Sequence, residues 1–249
     1  MAALDRHDAA DAGAILDVDF EWTSSDGRTR TRAEALEHLQ AFAGDLRGET
    51  AVRRYDYGHV HVVTSERPGA RMMRVWTLRP EGWRALAVIS TALTTGATPF
   101  AATGAAAGDC DNPCRTLPYT PATENGKQIA AIFQRLKRDE WHPDPADWAP
   151  YVLDDVYYVT ATAQLSKADR LVTLTKLKAT GAPSVPGDPV VSMRIHDFGD
   201  SAVMIARHDP YGGGQPYYSL RVWALRDGRW QLANTQQTVI AGAPPVAPR

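Results

Sequence analysis

The sequence predicts an α+β protein built from two copies of one folding unit in tandem. The segment RVWTLR at residues 74–79 recurs as RVWALR at residues 221–226. In both copies a second tryptophan follows the first by seven residues, which pairs Trp76 and Trp83 with Trp223 and Trp230. Tryptophan is a rare residue, so this shared spacing indicates an internal repeat, and a repeat of this length indicates duplicated domains.

Length and composition limit the classes of function. The chain has 249 residues, of which 44% are hydrophobic and 22% charged, as in ordinary globular proteins. The formal net charge is −2 and there is no run of lysine or arginine, so the sequence predicts no nucleic-acid partner and no polybasic membrane anchor. No stretch approaches the roughly 18 apolar residues of a membrane-spanning helix, so no membrane partner is expected.

The N-terminus and the two cysteines bear on the cellular compartment. The chain is polar from Met1 onwards and lacks the apolar segment of a signal peptide, so it is expected to be cytoplasmic as it stands. A periplasmic or secreted location stays open if an N-terminal segment has been removed. Cys110 and Cys114 form either two free thiols or one small-loop disulfide, and their number predicts no four-ligand metal site. No metal and no cofactor are predicted.

Each copy begins with a short helix that leads into a strand, at residues 20–23 in the first copy and 156–162 in the second. A longer helix follows, at residues 32–43 and 167–178. Both longer helices start with a capping box, in which a hydroxyl caps the helix and an acid three residues later reaches back. The capping pairs are Thr31 with Glu34 and Ser166 with Asp169.

Three strands complete each copy and are expected to form its sheet. They are predicted at residues 52–64, 71–79 and 83–93, and again at 190–207, 216–226 and 229–240. The last two strands of each copy form a hairpin, and Asp227-Gly228 is a strong hairpin-turn signal.

The second copy carries one further helix. Its apolar residues follow the spacing of one helix face and predict an amphipathic helix that begins near Thr120; they are Ile129, Ile132, Phe133 and Leu136. The first copy has almost no room for such a helix before Asp8.

The predicted domains follow from this difference. The first runs from residue 1 to 94 and lacks most of its first helix, and the second runs from 120 to 241. A linker rich in Ala, Thr, Gly and Pro at residues 95–119 and a tail at 242–249 complete the chain.

This order of elements resembles the nuclear transport factor 2-like superfamily, with its SnoaL-like and ketosteroid-isomerase-like branches nearest. The resemblance is carried by Asp147-Trp148-Ala149 with Leu153-Asp154, by the Ser166 cap, and by residues 221–232 (RVWALRDGRWQL). It implies two cone-shaped α+β domains, each a curved sheet wrapped around helices with a pocket at its open end. Members of the superfamily often dimerise through the convex face of the sheet. Tandem copies therefore imply a pseudo-dimer within one chain, and a homo-oligomer stays open.

The resemblance also implies a function. It predicts a pocket that binds a small apolar or aromatic molecule, with cofactor-free acid–base catalysis of the isomerase, lyase, hydratase or cyclase type as the associated chemistry. Copy two is expected to carry that chemistry, because it holds the complete set of helices. The alternative is a non-catalytic ligand-binding or association module, since this fold hosts many unrelated functions.

Two residues are the predicted catalytic groups. Asp197, with Asp56 as its counterpart, precedes an aromatic residue and a glycine in an apolar strand, where desolvation would raise the pKa of a carboxyl and suit it to acid–base work. The alternative is an exposed strand residue, or an acid paired with an arginine such as Arg221. His208 is expected at a long hairpin tip beside Asp209, either as an acid–base residue of a lid or as part of a solvated turn.

Residues on the first and last strands are predicted to contact the bound molecule. Trp22 and Tyr157 lie on the first strands of the two copies. One of Tyr217 and Tyr218 must face inward, and we expect it to be Tyr218. Gln236 lies on the last strand, where members of the resembled superfamily often place a polar residue in the cavity.

A strand face in the first copy completes the predicted site. Tyr55, Tyr57, His59 and His61 alternate and therefore share one face of a strand. Asp56 and Tyr57 are predicted to contact the ligand. Two histidines at this spacing can bind one metal ion, but no third ligand is apparent, so an aromatic pocket mouth is the favoured interpretation.

Overall fold

The structure is a computed structural model, and it describes residues 8–45, 48–93, 110–160, 163–181, 187–210 and 214–243. The chain divides into two compact units, Met1–Thr94 and Thr95–Arg249. The predicted linker lies outside the described residues up to residue 109, and the predicted tail does so from residue 244. None of the described helices is long and apolar enough to span a membrane.

Unit 1 alternates short helices with six strands. Its helices are α1 (Ala9–Ile15), α2 (Arg32–Glu37) and α3 (Leu39–Asp45). Its strands are β1 (Leu16–Thr23), β2 (Thr29–Thr31), β3 (Thr50–Asp56), β4 (Val60–Arg67), β5 (Ala70–Arg79) and β6 (Gly82–Ala92). The predicted capping box at Thr31 and Glu34 starts α2, so the helix begins where the sequence places it.

Unit 2 repeats this order and adds a long helix in front. Its helices are α4 (Glu124–Trp141), α5 (Pro145–Trp148) and α6 (Lys167–Thr180), with a 3-10 turn at Ala149–Tyr151. Its strands are β7 (Val152–Val159), β8 (Gln164–Leu165), β9 (Val190–Asp197), β10 (Ser201–His208), β11 (Tyr217–Arg226) and β12 (Arg229–Val239). The cap of α4 is Thr123 rather than a residue near Thr120, because the Thr123 hydroxyl accepts from the Gly126 N–H.

The two sheets have the same topology. Their strand orders are β2-β1-β6-β5-β4-β3 and β8-β7-β12-β11-β10-β9. In each sheet the first strand pairs in parallel with the last, and the other neighbours are antiparallel. Both sheets contain an irregularity at the same place, between Val75 and Trp76 and between Val222 and Trp223. The sequence repeat is therefore also a structural repeat, with the tryptophans in equivalent positions.

One prediction of strand length was wrong. The long strands predicted at 52–64 and 190–207 are each two strands, because the Asp-aromatic-Gly segment of each copy forms a tight turn. Oδ1 of Asp56 accepts from the Gly58 N–H at 2.9 Å, and Oδ1 of Asp197 accepts from the Gly199 N–H at 2.9 Å. An aspartate that bonds to the backbone two residues on is a typical turn former, and both glycines supply the positive φ that such a turn requires.

The helices pack on one face of each sheet, which we call the inner face. In unit 2 the core joins Ile129, Phe133 and Leu136 of α4 to Trp223 and Trp230 of the sheet. In unit 1 the core joins β1 and α3 to the sheet through Phe20, Trp22, Phe42, Met72 and Val88. The described part of unit 1 contains no counterpart of α4, so the two inner faces are covered differently.

The cysteines are joined, which decides between the two alternatives that the sequence left open. Cys110 and Cys114 form a disulfide with their Cα atoms 5.5 Å apart, within the usual span. The closed loop lies against α4, since the Arg138 guanidinium donates to the Cys114 carbonyl at 2.8 Å. The predicted pairing of the two sheets within one chain stays a prediction.

Candidate functional site

The strand registers define the residues that share each inner face. Directly paired residues on neighbouring strands lie on the same face. In unit 1 one such row, from β3 to β6, is Arg54, Val63, Arg74 and Val88, and a second is Asp56, His61, Trp76 and Ala85. The corresponding rows of unit 2, from β9 to β12, are Ile195, Met204, Arg221 and Thr235, and Asp197, Ala202, Trp223 and Leu232.

Two adjoining cavities lie over the inner face of unit 1. Cavity A has a volume of about 390 Å³ and is lined by Ile15, Leu16, Phe42, Glu49, Val52, Arg54, Val63, Arg74, Trp76, Ala85 and Val88. Cavity B has a volume of about 420 Å³ and is lined by Arg54, Tyr55, Asp56, His61, Val62, Val63, Trp76 and Trp83. The side chains of Arg54, Val63 and Trp76 border both. Sites for small molecules usually measure about 300–1,000 Å³, so each cavity is of sufficient size.

The polar groups of cavity A include two arginines with different surroundings. Arg74 donates from Nη2 to Glu49 Oε2 at 2.7 Å, and both side chains are largely buried. Glu49 also accepts from the Ser65 hydroxyl at 3.0 Å, so this ion pair is fixed in the floor of the cavity. Arg54 is exposed and has no hydrogen bond or ion pair with any residue that the structure describes. One guanidinium is therefore compensated and the other is not.

Cavity B contains an acid–base pair. His61 Nε2 lies 3.2 Å from Asp56 Oδ1, and the His61 ring stacks on Trp83 with 3.8 Å between ring centroids. The stacking fixes the plane of the imidazole and holds Nε2 towards the carboxylate. A histidine held by a carboxylate at the wall of a cavity is an arrangement that can take up and return a proton.

Among the described residues of unit 2, the space beneath α4 is small. The space between α4 and the sheet measures about 20 Å³ and is bordered by Phe133, Trp148, Tyr158, Arg221 and Trp223, among others. That volume holds about one water molecule. This space is too small for an organic substrate, whereas cavities A and B of unit 1 are large enough for one. That copy two carries the chemistry stays a prediction.

His208 lies buried in the interior of unit 2 and not at a hairpin tip. Its Nδ1 is 3.2 Å from the Asp188 carbonyl, to which it must donate, so Nε2 is the acceptor and lies 3.1 Å from the Ser219 hydroxyl. Arg221 donates from Nη1 to Ser219 and lies 3.4 Å from His208 Nε2. Complete burial and the Arg221 charge hold the pKa of His208 well below its usual value. This histidine is a neutral member of a core network.

Comparisons with known proteins give matches among solved structures. No family model and no curated protein matches the chain. An NTF2-like protein from Cytophaga hutchinsonii is 17% identical with a TM-score of 0.42, and the match covers 47% of this chain and 100% of that one. An NTF2-like protein of unknown function in nutrient uptake, from Rhodospirillum rubrum, is 19% identical with a TM-score of 0.37, covering 45% and 98%. An uncharacterized protein with a cystatin-like fold, from Caulobacter vibrioides, is 13% identical with a TM-score of 0.38, covering 48% and 92%.

Each of these solved proteins corresponds to about one unit of the chain, and the two units share one strand order. The chain carries two copies of one α+β fold, and each copy is similar in fold to these NTF2-like structures. The predicted α+β class and its tandem arrangement are confirmed by the two six-stranded sheets of equal strand order with their helices. The likeness concerns the fold, because an NTF2-like domain hosts many unrelated functions and the identities are low.

Three predicted contact residues lie on the outer face of the second NTF2-like domain. Tyr157 is paired with Asn234 and Gln236 with Leu220, whereas the inner-face row passes through Arg221 and Thr235. Tyr218 follows Tyr217 in β11, and it is Tyr217 that faces inward, where its ring stacks on His208 with 4.6 Å between centroids. The structure therefore does not bring these three side chains to the inner face.

Tyr217 is instead a buried partner in the core network. Its hydroxyl donates to Asp188 Oδ2 at 2.9 Å. Burial raises the pKa of Tyr217 well above its usual value, and burial likewise raises the pKa of Asp188. Both groups therefore keep their protons more strongly than they would in water.

The other predicted residues occupy positions of three kinds. Asp197 lies in the β9–β10 turn, where it also accepts from Asn125 Nδ2 at 3.1 Å, and it does not line the described cavities. Trp22 lies on the inner face of the first NTF2-like domain, 5.1 Å from the Phe42 ring, and so supports the wall of cavity A. Tyr57 lies in the β3–β4 turn and stacks on Tyr55. Asp56 does line cavity B, beside His61.

The three charged residues that line cavity A were absent from the predicted set: Glu49, Arg54 and Arg74. Two of them, Arg54 and Arg74, can be identified from the pairing of residues on neighbouring strands of the sheet. Alternate residues of β3 that share a face with Asp56 include Arg54, and the register then leads to Arg74. Glu49 precedes β3 and carries no such signal, because only the folded chain brings it to Arg74.

Proposed function

We propose that the first NTF2-like domain binds a small apolar or aromatic molecule in cavities A and B. The observation that supports this most is the contrast between the two domains. The inner face of the first carries cavities of about 390 and 420 Å³, and that of the second leaves about 20 Å³.

The walls of cavity A suit an aromatic body. Phe42, Val52, Val63, Trp76 and Val88 offer apolar surface on several sides. A two-ring aromatic molecule that buries about 150–250 Å² gains about 4–6 kcal/mol from desolvation at ~25 cal/mol per Å². That gain corresponds to a Kd between about 1 mM and 40 µM, before polar contacts and ordering costs are counted.

The test is a fluorescence titration of the full chain with N-phenyl-1-naphthylamine, a neutral aromatic probe. The variant Val63→Trp adds volume at the wall that the two cavities share, so it should weaken probe binding at least about tenfold. Val18→Trp adds the same volume on β1 at a position that is 80% exposed, and it should leave binding unchanged. No saturable binding to the wild type, or equal binding to both variants, would contradict the proposal.

The second domain fits the alternative role of a non-catalytic module. Its inner face is covered by α4, and three of its buried polar side chains bond to one another in the Arg221–Ser219–His208 network. We assign it a structural part and place ligand binding in the first domain alone. Probe binding that responds to Phe133→Trp in α4 and not to Val63→Trp would overturn this assignment.

Acid–base chemistry on the bound molecule is the second candidate function, and the Asp56–His61 pair in cavity B favours it. A suitable measurement is deuterium incorporation at the acidic carbon of 2-tetralone, followed by NMR. His61→Gln should slow enzyme-dependent exchange about 100-fold, the usual scale for a general base. His59→Gln changes a histidine outside both cavities and should leave the exchange rate unchanged. Exchange no faster than in buffer would leave binding as the function.

A further inference from the structure

The two copies of the fold allow each inner-face position to be compared within one chain. Arg54 occupies the position at which the second domain has Ile195, since the paired rows run Arg54–Val63–Arg74 and Ile195–Met204–Arg221. Ile195 packs against the core of its domain. The first domain therefore carries a cation where its repeat carries an apolar side chain.

The fold gives no structural reason for this cation. Arg54 forms no hydrogen bond or ion pair within the part of the chain that the structure describes, although it borders both cavities. Its neighbour Arg74, in contrast, is matched by Glu49 at 2.7 Å. Cavity A is thus lined by two guanidinium groups and one carboxylate, which leaves one positive charge uncompensated.

The remaining acid near Arg54 is already engaged. Asp56 accepts from the Gly58 N–H in the β3–β4 turn and lies 3.2 Å from His61 Nε2. An unpaired guanidinium at the wall of an apolar cavity is suited to a carboxylate, which it binds through two parallel N–H···O bonds. The apolar side chains around it favour burial of the rest of the molecule.

We propose that the ligand of the first domain is an apolar or aromatic monocarboxylate, whose carboxylate pairs with Arg54 and whose apolar body fills cavity A. The inference rests on the proposed binding function and adds the charge and the anchoring residue. A monocarboxylate is specified because, among the described residues that line cavity A, Arg54 is the guanidinium without an ion-pair partner.

The experiment compares two probes of equal shape by isothermal titration calorimetry on the full chain. 2-Naphthoate carries the carboxylate, and 2-naphthamide replaces it with a neutral amide. Wild-type protein should bind naphthoate at least about tenfold more tightly, the scale of a charge-assisted hydrogen bond. Arg54→Met should abolish that preference while it leaves the Kd of naphthamide unchanged.

A neighbouring arginine supplies the matched control. Arg53 is exposed and pairs with Thr64, so it lies on the opposite face of β3 and changes the net charge equally when mutated. Arg53→Met should keep the preference for naphthoate.

Each outcome separates the inference from the proposed function. Equal binding of the two probes by the wild type overturns the carboxylate inference and leaves ligand binding intact. Binding of neither probe overturns both. If Arg53→Met loses as much of the preference for naphthoate as Arg54→Met does, the inference is also overturned. The attraction would then depend on the net charge of the protein and not on a contact with Arg54.

Discussion

Replacement of Glu140 by glutamine should destabilise the second domain strongly. Glu140 Oε2 lies 2.8 Å from Lys137 Nζ, and Oε1 lies 3.1 Å from Arg170 Nη2, with all three side chains largely buried. The Lys137 and Arg170 charges lower the pKa of Glu140 to about 2 against burial, which acts to raise it. Glutamine keeps the shape of the side chain and leaves two buried cations without their anion.

The magnitude follows from the pKa. A fall from 4.5 to about 2 corresponds to about 3 kcal/mol of unfolding free energy, at about 1.4 kcal/mol for each pKa unit. Removal of one partner from a buried ion pair generally lowers the unfolding free energy by about 3–5 kcal/mol, which agrees with this value. For a domain of this size the loss should lower Tm by about 6–12 °C.

The pH dependence of the effect identifies its cause. Because the folded pKa lies below the unfolded one, Glu140 stabilises the fold fully above about pH 4.5, and this contribution is lost as the pH falls towards about 2. The difference in unfolding free energy between wild type and Glu140→Gln should therefore be largest at pH 6–7 and smaller at pH 3. Urea unfolding followed by tryptophan fluorescence at both pH values measures it.

The same helix supplies a control for this substitution. Glu124 also pairs with a lysine three residues away, Lys127, but both side chains are more than half exposed. Such surface pairs contribute about 0–1 kcal/mol, so Glu124→Gln should lower Tm by no more than a few degrees. A Glu140→Gln protein as stable as Glu124→Gln, or a difference that does not shrink at low pH, would refute the argument.

Two further predictions concern the turn and the disulfide. Asp197→Ala removes the acceptor for Gly199 and Asn125, so it should cost about 1–2 kcal/mol in chemical denaturation and leave probe binding in the first domain unchanged; a loss of binding would restore Asp197 to the site. Cys114→Ser removes the disulfide between residues four positions apart and should lower the unfolding free energy by about 2 kcal/mol. Chemical denaturation of the variant and of the wild type, each with and without a reducing agent, measures this loss. An equal effect of the reductant on both proteins would show that the bond contributes nothing.

The features that the sequence predicted correctly are those encoded by local chemistry. The tryptophan spacing fixes the repeat, and both capping boxes form as predicted, at Thr31 and at Ser166. The Asp227-Gly228 turn has both residues at positive φ, as a tight hairpin requires. Each of these signals depends on a few neighbouring residues, so no knowledge of the rest of the chain is needed.

The inner face could not be predicted by alternation alone, because both sheets contain a bulge. Trp223 pairs with Leu232 and Val222 with Asn234, so one additional residue of β12 lies between the two pairs. Alternation from Leu232 would place Gln236 on the inner face, and the additional residue moves it to the outer one. A shift of one residue thus removed Gln236 from the site.

Nor does the sequence show which domain is open. The apolar spacing of α4 predicts its buried face, but the space left beneath it depends on how Phe133, Trp148 and Trp223 fill the interior together. The role proposed for Arg54 likewise depends on the register, which places Ile195 at the equivalent position. Both properties belong to the packed chain and not to any segment of it.

The open inner face of the first domain has a consequence for stability, because a ligand bound there would be coupled to the folding of that domain. In the second domain α4 supplies the side chains that close the core, and within its described residues the first domain has no such helix. A ligand that binds the folded form alone stabilises it by about 2.7 kcal/mol at 100 times its Kd. The melting temperature of the first domain should then rise with the concentration of the proposed ligand.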